Sequence, residues 1–300
     1  MTADPVVSVV MPLGGVDARL EHQLHAIATQ THPGPIEIVC SLNTAEEHHR
    51  VRLGTQLART GVNARIVDSS DERNAAHARN VGAGAASGEL LLFCDGDDIV
   101  DAEWVAAMAE ALAGVDAVGG YLDERLLAVP GQETWRPPAT PGTLPTFLDA
   151  PYLVSANLGV RRDAFDAVGG FDTSLTRGED IALSWDLMAA GYQLGYAPGA
   201  IVHYRHRRGV WPMMRQHFLY GVGFSELVSR RSVPGEHSRR RGLRLLQPNG
   251  QPAPVRGWPW YVRRGSIAAG RLVGLVAEHR RASAVRFAVT PADSDQIAAR

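Results

Sequence analysis

The hydrophobic positions of the first hundred residues fall in short, dense blocks. Val6-Val7-Ser8-Val9-Val10-Met11 is nearly continuous and stops at Pro12, which predicts a strand buried on both faces. Leu13-Gly14-Gly15 follows as a turn, and residues Ala18 to Thr29 have helical spacing. Ile36-Glu37-Ile38-Val39-Cys40 predicts a second strand, Ala45 to Arg59 a polar helix, and Ala64-Arg65-Ile66-Val67 a short third strand. The alanine-rich stretch Asn74 to Ala86 reads as a helix stopped at Gly88. Glu89-Leu90-Leu91-Leu92-Phe93-Cys94 predicts a fourth strand, which runs directly into Asp95-Gly96-Asp97-Asp98.

Strands alternating with helices imply an α/β fold: a wound, mostly parallel sheet with helices on both faces. Ligands gather beyond the carboxyl ends of such strands. That rule puts Pro12 to Gly15, Ser41 to Thr44 and Asp95 to Asp98 on one rim. The pattern weakens after Gly119, and the proline-rich stretch Val129 to Pro151 predicts a long surface loop. Regular structure is expected again near Leu153, with a helix over Glu179 to Ala190 and a strand over Ala200 to Tyr204. From Trp211 the chain reads as helical and arginine-rich. This part contains Arg239-Arg240-Arg241 and a weakly amphipathic segment from Ser266 to Arg281. No internal repeat is found.

Composition narrows the classes. A hydrophobic fraction of 45% and a charged fraction of 21% are ordinary for a globular protein of 300 residues. A net charge of -2 predicts no bulk attraction to nucleic acid, so no nucleic-acid partner is expected. Every basic residue is arginine. Cys40 and Cys94 each close an apolar run and read as small buried residues, with neither zinc-site spacing nor a disulfide framework. No secretory leader and no apolar run of about 18–20 residues is seen. The expected compartment is therefore the cytoplasm, with a peripheral seat on the inner face of the membrane left open.

Two acidic clusters and one histidine carry candidate chemistry. Asp95, Asp97 and Asp98 sit at a strand mouth, where clustered carboxylates need a compensating cation. They read either as a Mg²⁺ or Mn²⁺ site for a diphosphate or as a turn capping the helix near Asp101. Gly169-Gly170-Phe171-Asp172 is followed by Arg177-Gly178-Glu179-Asp180. Glu179 and Asp180 open a helix, so they are either caps or a general base. His203, in Ile201-Val202-His203-Tyr204-Arg205-His206, is either structural or a ligand.

Taken in order, these segments resemble one family. They are Val7-Ser8-Val9-Val10-Met11-Pro12, Ala78-Arg79-Asn80-Val81-Gly82 and Ser87-Gly88-Glu89 through Asp98. They continue with Val168 to Asp172, Gly178-Glu179-Asp180, Ala190-Gly191-Tyr192 and Tyr196 to His203. The set is similar to family 2 glycosyltransferases with a GT-A fold, over roughly the first 205 residues. The resemblance implies an inverting enzyme that moves a sugar from a nucleoside-diphosphate sugar, a UDP-sugar first, to an acceptor hydroxyl. By position, Asp95 would contact the nucleoside, Asp97 would hold the metal, and His203 would be a further metal ligand. Asp180, beside Glu179, would be the base. Arg79 would lie against the nucleotide, and Pro12, Ser41 and Asn43 would line the donor pocket. Gly170 to Asp172 would shape the acceptor side. The catalytic domain would occupy residues 1–210, with a nucleotide-sugar half to about 118 and an acceptor half beyond it. Residues 211–300 would form a helical extension. The acceptor is a small molecule, a glycan or a lipid-linked group, and a homodimer is an open option.

The departures lie on the donor side. The family's two aspartates after the second strand are replaced by Cys40-Ser41-Leu42-Asn43. The turn after Pro12 lacks an aromatic residue, and Asp186 follows Trp185 where relatives carry arginine. Two rival readings are a sugar nucleotidyltransferase and a nucleotide-sugar-binding scaffold without turnover.

Overall fold

The computed structural model describes residues 6–132, 135, 139–231 and 257–288. In chain order it runs β1 (Val7–Leu13), α1 (Arg19–Ala28), β2 (Ile36–Leu42), α2 (Glu47–Thr60), β3 (Arg65–Asp68), α3 (Ala75–Ala85) and β4 (Leu90–Cys94). Next come β5 (Ile99–Val100), α4 (Trp104–Leu112), β6 (Ala117–Asp123), β7 (Thr146–Phe147), β8 (Ala150–Pro151), β9 (Asn157–Arg161) and α5 (Arg162–Ala167). The remaining elements are α6 (Glu179–Ala189), β10 (Leu194–His203), α7 (Val210–Arg230) and a long last helix, α8 (Trp258–Ala288). The triple arginine at Arg239-Arg240-Arg241 and most of the loop around Trp135 lie outside the described residues.

The main sheet has eight strands in the order β3-β2-β1-β4-β9-β6-β10-β5. β1 pairs in parallel with β2 and with β4, β2 with β3, and β6 with β10. Only β9 and the short β5 run the other way. The mostly parallel α/β sheet expected from the sequence is therefore present, with one antiparallel strand set into its middle. The carboxyl ends at Leu42, Cys94, Asp123 and His203 fall on one edge.

Side-chain alternation along β1 explains why both faces are covered. Val7, Val9, Met11 and Leu13 pack with Leu20 and Leu24 of α1, Leu53 of α2 and Trp104 of α4. Val10, Leu91 and Phe93 pack on the opposite face with Ala76 and Ala83 of α3, Phe165 of α5 and Leu183 of α6. α3 begins at Asn74, whose Oδ1 accepts from the Ala76 amide at 2.8 Å.

The second half differs from the sequence reading in three places. β6 begins at Ala117, where the pattern had only weakened, and β10 begins at Leu194 rather than Ala200. The predicted loop ends in a small hairpin, β7–β8, with Leu148 and Asp149 at positive φ. A break in register between Ala197 and Ile201 leaves a carbonyl to be satisfied. Asn157 does this: its Nδ2 donates to Ala200 O and Tyr121 O at 3.0 Å each, while its Oδ1 accepts from Trp104 Nε1.

α7 and α8 pack closely through small residues. A Cβ on Gly270 would stand 2.0 Å from Phe218 O, and one on Gly221 would stand 2.2 Å from Ile267 O. α7 also lies across the loop before α6, where Gly223 meets the Arg177 backbone. Gly270→Ala should therefore force the helices apart and cost about 1–3 kcal/mol. A urea midpoint unchanged from the parent would refute this packing.

Candidate active site

Arg79 organises the carboxyl edge of the sheet. α3 carries it under the rim, where its side chain is only 5% exposed. Its Nη2 donates to Asp95 Oδ1 at 3.0 Å and its Nη1 to Glu179 Oε1 at 3.1 Å. The guanidinium also lies 5.7 Å from the centroid of the Phe171 ring. Asp95, Glu179 and Arg79 come from β4, α6 and α3, so the ion pair joins three elements distant in sequence. The expectation that Arg79 lies against a nucleotide meets a buried group already committed to two acids.

Glu179 and Asp180 stand in the first turn of α6, behind Gly178 at the N-cap. Gly178, with φ at 88°, turns the chain sharply before them. Asp180 Oδ1 accepts from the Ile181 amide at 2.9 Å. Its Oδ2 accepts from the Ser155 amide at 3.4 Å. Burial, reinforced by the Glu179 charge and opposed by Arg79, pushes the Asp180 carboxyl up to about 7. The preceding loop is latched to α3 by Asn80. Its Nδ2 donates to Phe171 O at 2.8 Å, and its Oδ1 accepts from the Phe171 amide at 2.9 Å. Asp172 and Asp186 both pair with Arg231, at 3.0 Å and 2.9 Å.

Within the acidic turn, Asp95 and Asp97 keep partial exposure while Asp98 is withdrawn from solvent. Asp98 is buried, with Oδ1 accepting from the Arg205 amide at 2.7 Å and Oδ2 unpartnered. Arg205 Nε returns a bond to Asp97 O at 2.9 Å. This reciprocal clamp ties the turn to the segment after β10. Burial and the repulsion of Asp95 and Asp97 raise Asp98 well above the ordinary carboxylate range. Asp97 is also raised, first by burial and then by Asp95, although Arg19 Nη1 stands 3.3 Å from its Oδ2. His203 ends β10 opposite Ile99 in the register. Its Nδ1 is 3.3 Å from Asp123 Oδ2 and its Nε2 is 3.8 Å from Asp101 Oδ2.

Other sequence candidates sit less freely. Ser41 is fully buried, and its hydroxyl bonds Ser69 Oγ at 2.9 Å. Asn43 Nδ2 donates to Ser69 O and Glu72 O, which leaves only Oδ1 for a ligand. Pro12 is half-buried beside Ser41 in the strand register. The sequence reading missed Arg19 and the Arg205 to Arg208 run. With Asp97 and His206 these arginines line a cavity of about 270 Å³. The dense arginine run after His203 was the available signal. A larger cavity of about 770 Å³ lies between α1 and α2, lined by residues such as Glu21, Glu47 and Arg59, away from the buried carboxylates.

Among the described residues, the one trio of metal-capable side chains with ligand atoms within 4.8 Å of one another is Glu46, His48 and His49. It is a poor metal site, because His49 Nδ1 accepts from the Val16 amide at 2.9 Å. In the neutral ring this puts the proton on Nε2. The acidic turn is not preassembled in that sense. Its donor set is nonetheless right for a hard cation: oxygen atoms only, excess negative charge, and a buried carboxylate oxygen without a partner.

The mostly parallel sheet thus carries the buried Asp98 carboxylate and an arginine-lined cavity along one edge. Comparison with known proteins identifies the chain's family. Residues 8–169 match the family described as Glycosyl transferase family 2, and residues 147–286 match Glycosyl transferase family group 2. The chain belongs to glycosyl transferase family 2 and is a glycosyltransferase. Glycosyltransferase AglE of Haloferax volcanii is 24% identical over 225 residues, covering 73% of each chain. The pre-mycofactocin glycosyltransferase of Mycobacterium tuberculosis is 30% identical over 180 residues, which is 55% of this chain and 37% of the relative. Among solved structures, the mannosyltransferase PcManGT of Pyrobaculum calidifontis, in complex with GDP-Man and Mn2+, superposes with a TM-score of 0.63 at 18% identity. The match covers 96% of this chain and 82% of that one. S. aureus TarS 1-349 in complex with UDP gives a TM-score of 0.52 at 17% identity, covering 76% and 66%. These likenesses support the GT-A fold.

Removing Arg79 leaves Asp95 and Glu179 facing each other without their shared cation. Arg79→Met should destabilise the fold by about 3–5 kcal/mol. A loss below about 1 kcal/mol in chemical denaturation would show that the pair is not a structural tie.

Proposed function

We propose that the chain is an inverting transferase moving a sugar from a nucleoside-diphosphate sugar to an acceptor hydroxyl by direct displacement. The observation that carries this reading is Asp180: a half-buried carboxyl, pushed up to about 7, on the same edge as Asp97 and the arginine cavity. A base matched to neutral pH is well suited to taking a hydroxyl proton during attack. As the acceptor O–H proton passes to Asp180, the acceptor oxygen bonds the anomeric carbon. The bond from that carbon to the diphosphate oxygen breaks, and its electron pair leaves with the nucleoside diphosphate. Arg19 and the Arg205 to Arg208 segment line the cavity where that charge can be held.

Asp97, with His203 from the end of β10, would hold Mg²⁺ or Mn²⁺, which when bound would offset the charge of the leaving group. PcManGT, solved with GDP-Man and Mn2+, and TarS, solved with UDP, support a nucleotide-sugar donor and a divalent metal. A UDP-sugar is the first donor to test and a GDP-sugar the second. The half-used amide of Asn43 is better placed than the buried Ser41 hydroxyl to read a base. Glu179 serves by holding Arg79 rather than by moving protons. Residues 1–210 would carry this chemistry, and the helices beyond would cover the acceptor.

Asp180→Asn should keep donor binding and lose about 10²–10⁴-fold in transfer rate. Near-normal turnover would exclude Asp180 as the base. Because the base acts unprotonated, the parent's rate should climb with pH through about 7, the acid limb following the Asp180 carboxyl. A profile flat from pH 5 to 9 would contradict it. Stripping divalent metal with EDTA should abolish transfer, and added Mn²⁺ should restore it. Full activity in EDTA would remove Asp97 and His203 from a metal role.

A further inference from the structure

α8 buries one side against α7 and leaves the other exposed among the described residues, apart from Trp258, whose ring has Trp135 beside it. The outward side is apolar from Trp258 to Val276. Trp258, Tyr261, Leu272, Val273 and Val276 are each between 46% and 62% exposed. Only glycine and alanine, Gly265, Ala268 and Ala269, fill the exposed positions between Tyr261 and Leu272. On a helical projection these residues form one stripe about 27 Å long, from rise per residue alone.

Charge is arranged around the stripe and not on it. The sole acid of α8, Glu278, turns inward to Arg230 at 2.7 Å. Glu226, the acid of α7, points to the same arginine at 3.9 Å and bonds Thr176. Arg264 flanks the stripe on one side with its guanidinium 4.6 Å from the centroid of the Trp260 ring. Exposed Arg280 and Arg281 close its far end. A chain of net charge -2 thus presents one face that is apolar at the centre and basic at the border. No described helix is long and apolar enough to cross a membrane.

We propose that this face of α8 lies in the interfacial layer of an anionic lipid bilayer, parallel to its plane. Tryptophan and tyrosine at one end suit the headgroup level, the aliphatic stripe suits the upper acyl region, and the arginines meet anionic headgroups. A second protein copy would fit less well, because two such faces would bring their arginine borders together. The helix is also coupled to the active site. Arg263 Nε donates to His217 Nε2 of α7 at 2.8 Å, and α7 covers the Arg177–Gly178 loop that leads into Asp180. Trp258 packs near Trp135 of the long loop, their ring centroids 6.3 Å apart. A bilayer-bound α8 would hold the site close to acceptors carried by the membrane. That last consequence rests on the transferase reading, whereas lipid binding does not.

The test is co-sedimentation of the full chain with vesicles of phosphatidylcholine, alone or mixed with phosphatidylglycerol. The expected result is binding to the mixed vesicles that falls with added salt. It should weaken at least about tenfold in L272E/V276E. Both positions are exposed, so the thermal midpoint of the variant should match the parent. Lack of binding to the mixed vesicles, or equal binding by the double variant, would overturn the proposal. So would a dimer that the double variant dissolves while vesicles bind neither protein. Asp180→Asn should sediment like the parent, so a failed transfer assay and a failed lipid assay remain separate results.

Discussion

The edge of this sheet gathers Asp95, Asp97, Asp98, Glu179 and Asp180, and one buried guanidinium makes that gathering possible. Among the described residues, Arg79 is the only side chain that bonds two of them at once, and it does so while buried. Burying a charge without a partner costs several kcal/mol, so the acids and the arginine each require the other. Because the partners come from α3, β4 and α6, the pair also fixes where the acidic turn stands relative to the start of α6. Every distance in the candidate site depends on that connection.

The same compensation is incomplete one step further along the edge. Asp97 and Asp98 keep raised acidities, and Asp98 retains a buried oxygen with no partner. Arg19 and Arg205 offset part of the charge, from α1 and from the segment beyond β10. A cation arriving with a diphosphate would complete the balance, which is why this end of the edge is the natural place for the donor. The other end, around the half-buried Asp180, follows the Arg177–Gly178 loop on which α7 packs. One edge thus carries an arginine-bordered half and a half that holds Asp180, whose carboxyl is pushed up to about 7.

Close helix packing links this site to the outer surface. Gly221, Gly223 and Gly270 let α7 approach both the Arg177 backbone and α8. Larger side chains there would separate the roof of the site from its supporting helix. The exposed face of α8 is thereby joined through α7 to the loop that leads into Glu179 and Asp180.

How far the sequence could be read depended on whether a signal was local. The apolar blocks at Val7, Ile36 and Leu90 foretold β1, β2 and β4 because strands buried on both faces need continuous hydrophobic runs. Asp95 to Asp98 and Glu179-Asp180 could be singled out because carboxylates at element ends are conspicuous in sequence. β6 and β9 were not foreseen, since Gly119, Gly120 and Gly159 break their apolar pattern for reasons found only in neighbouring strands. Gly120 is one such case, with Ala200 O and Asn157 filling the space a side chain would need. Nor could spacing reveal that Arg79 faces Glu179 a hundred residues away, or that Arg205 clasps the acidic turn. Sequence alone determined the α/β class, the strand edge and the chemical inventory, because these follow from periodicity and residue type. The tertiary structure decided which charges share a partner, which hydroxyls and amides are already spent, and which face of α8 is left bare. Those outcomes depend on burial and distance between segments that the chain order does not specify.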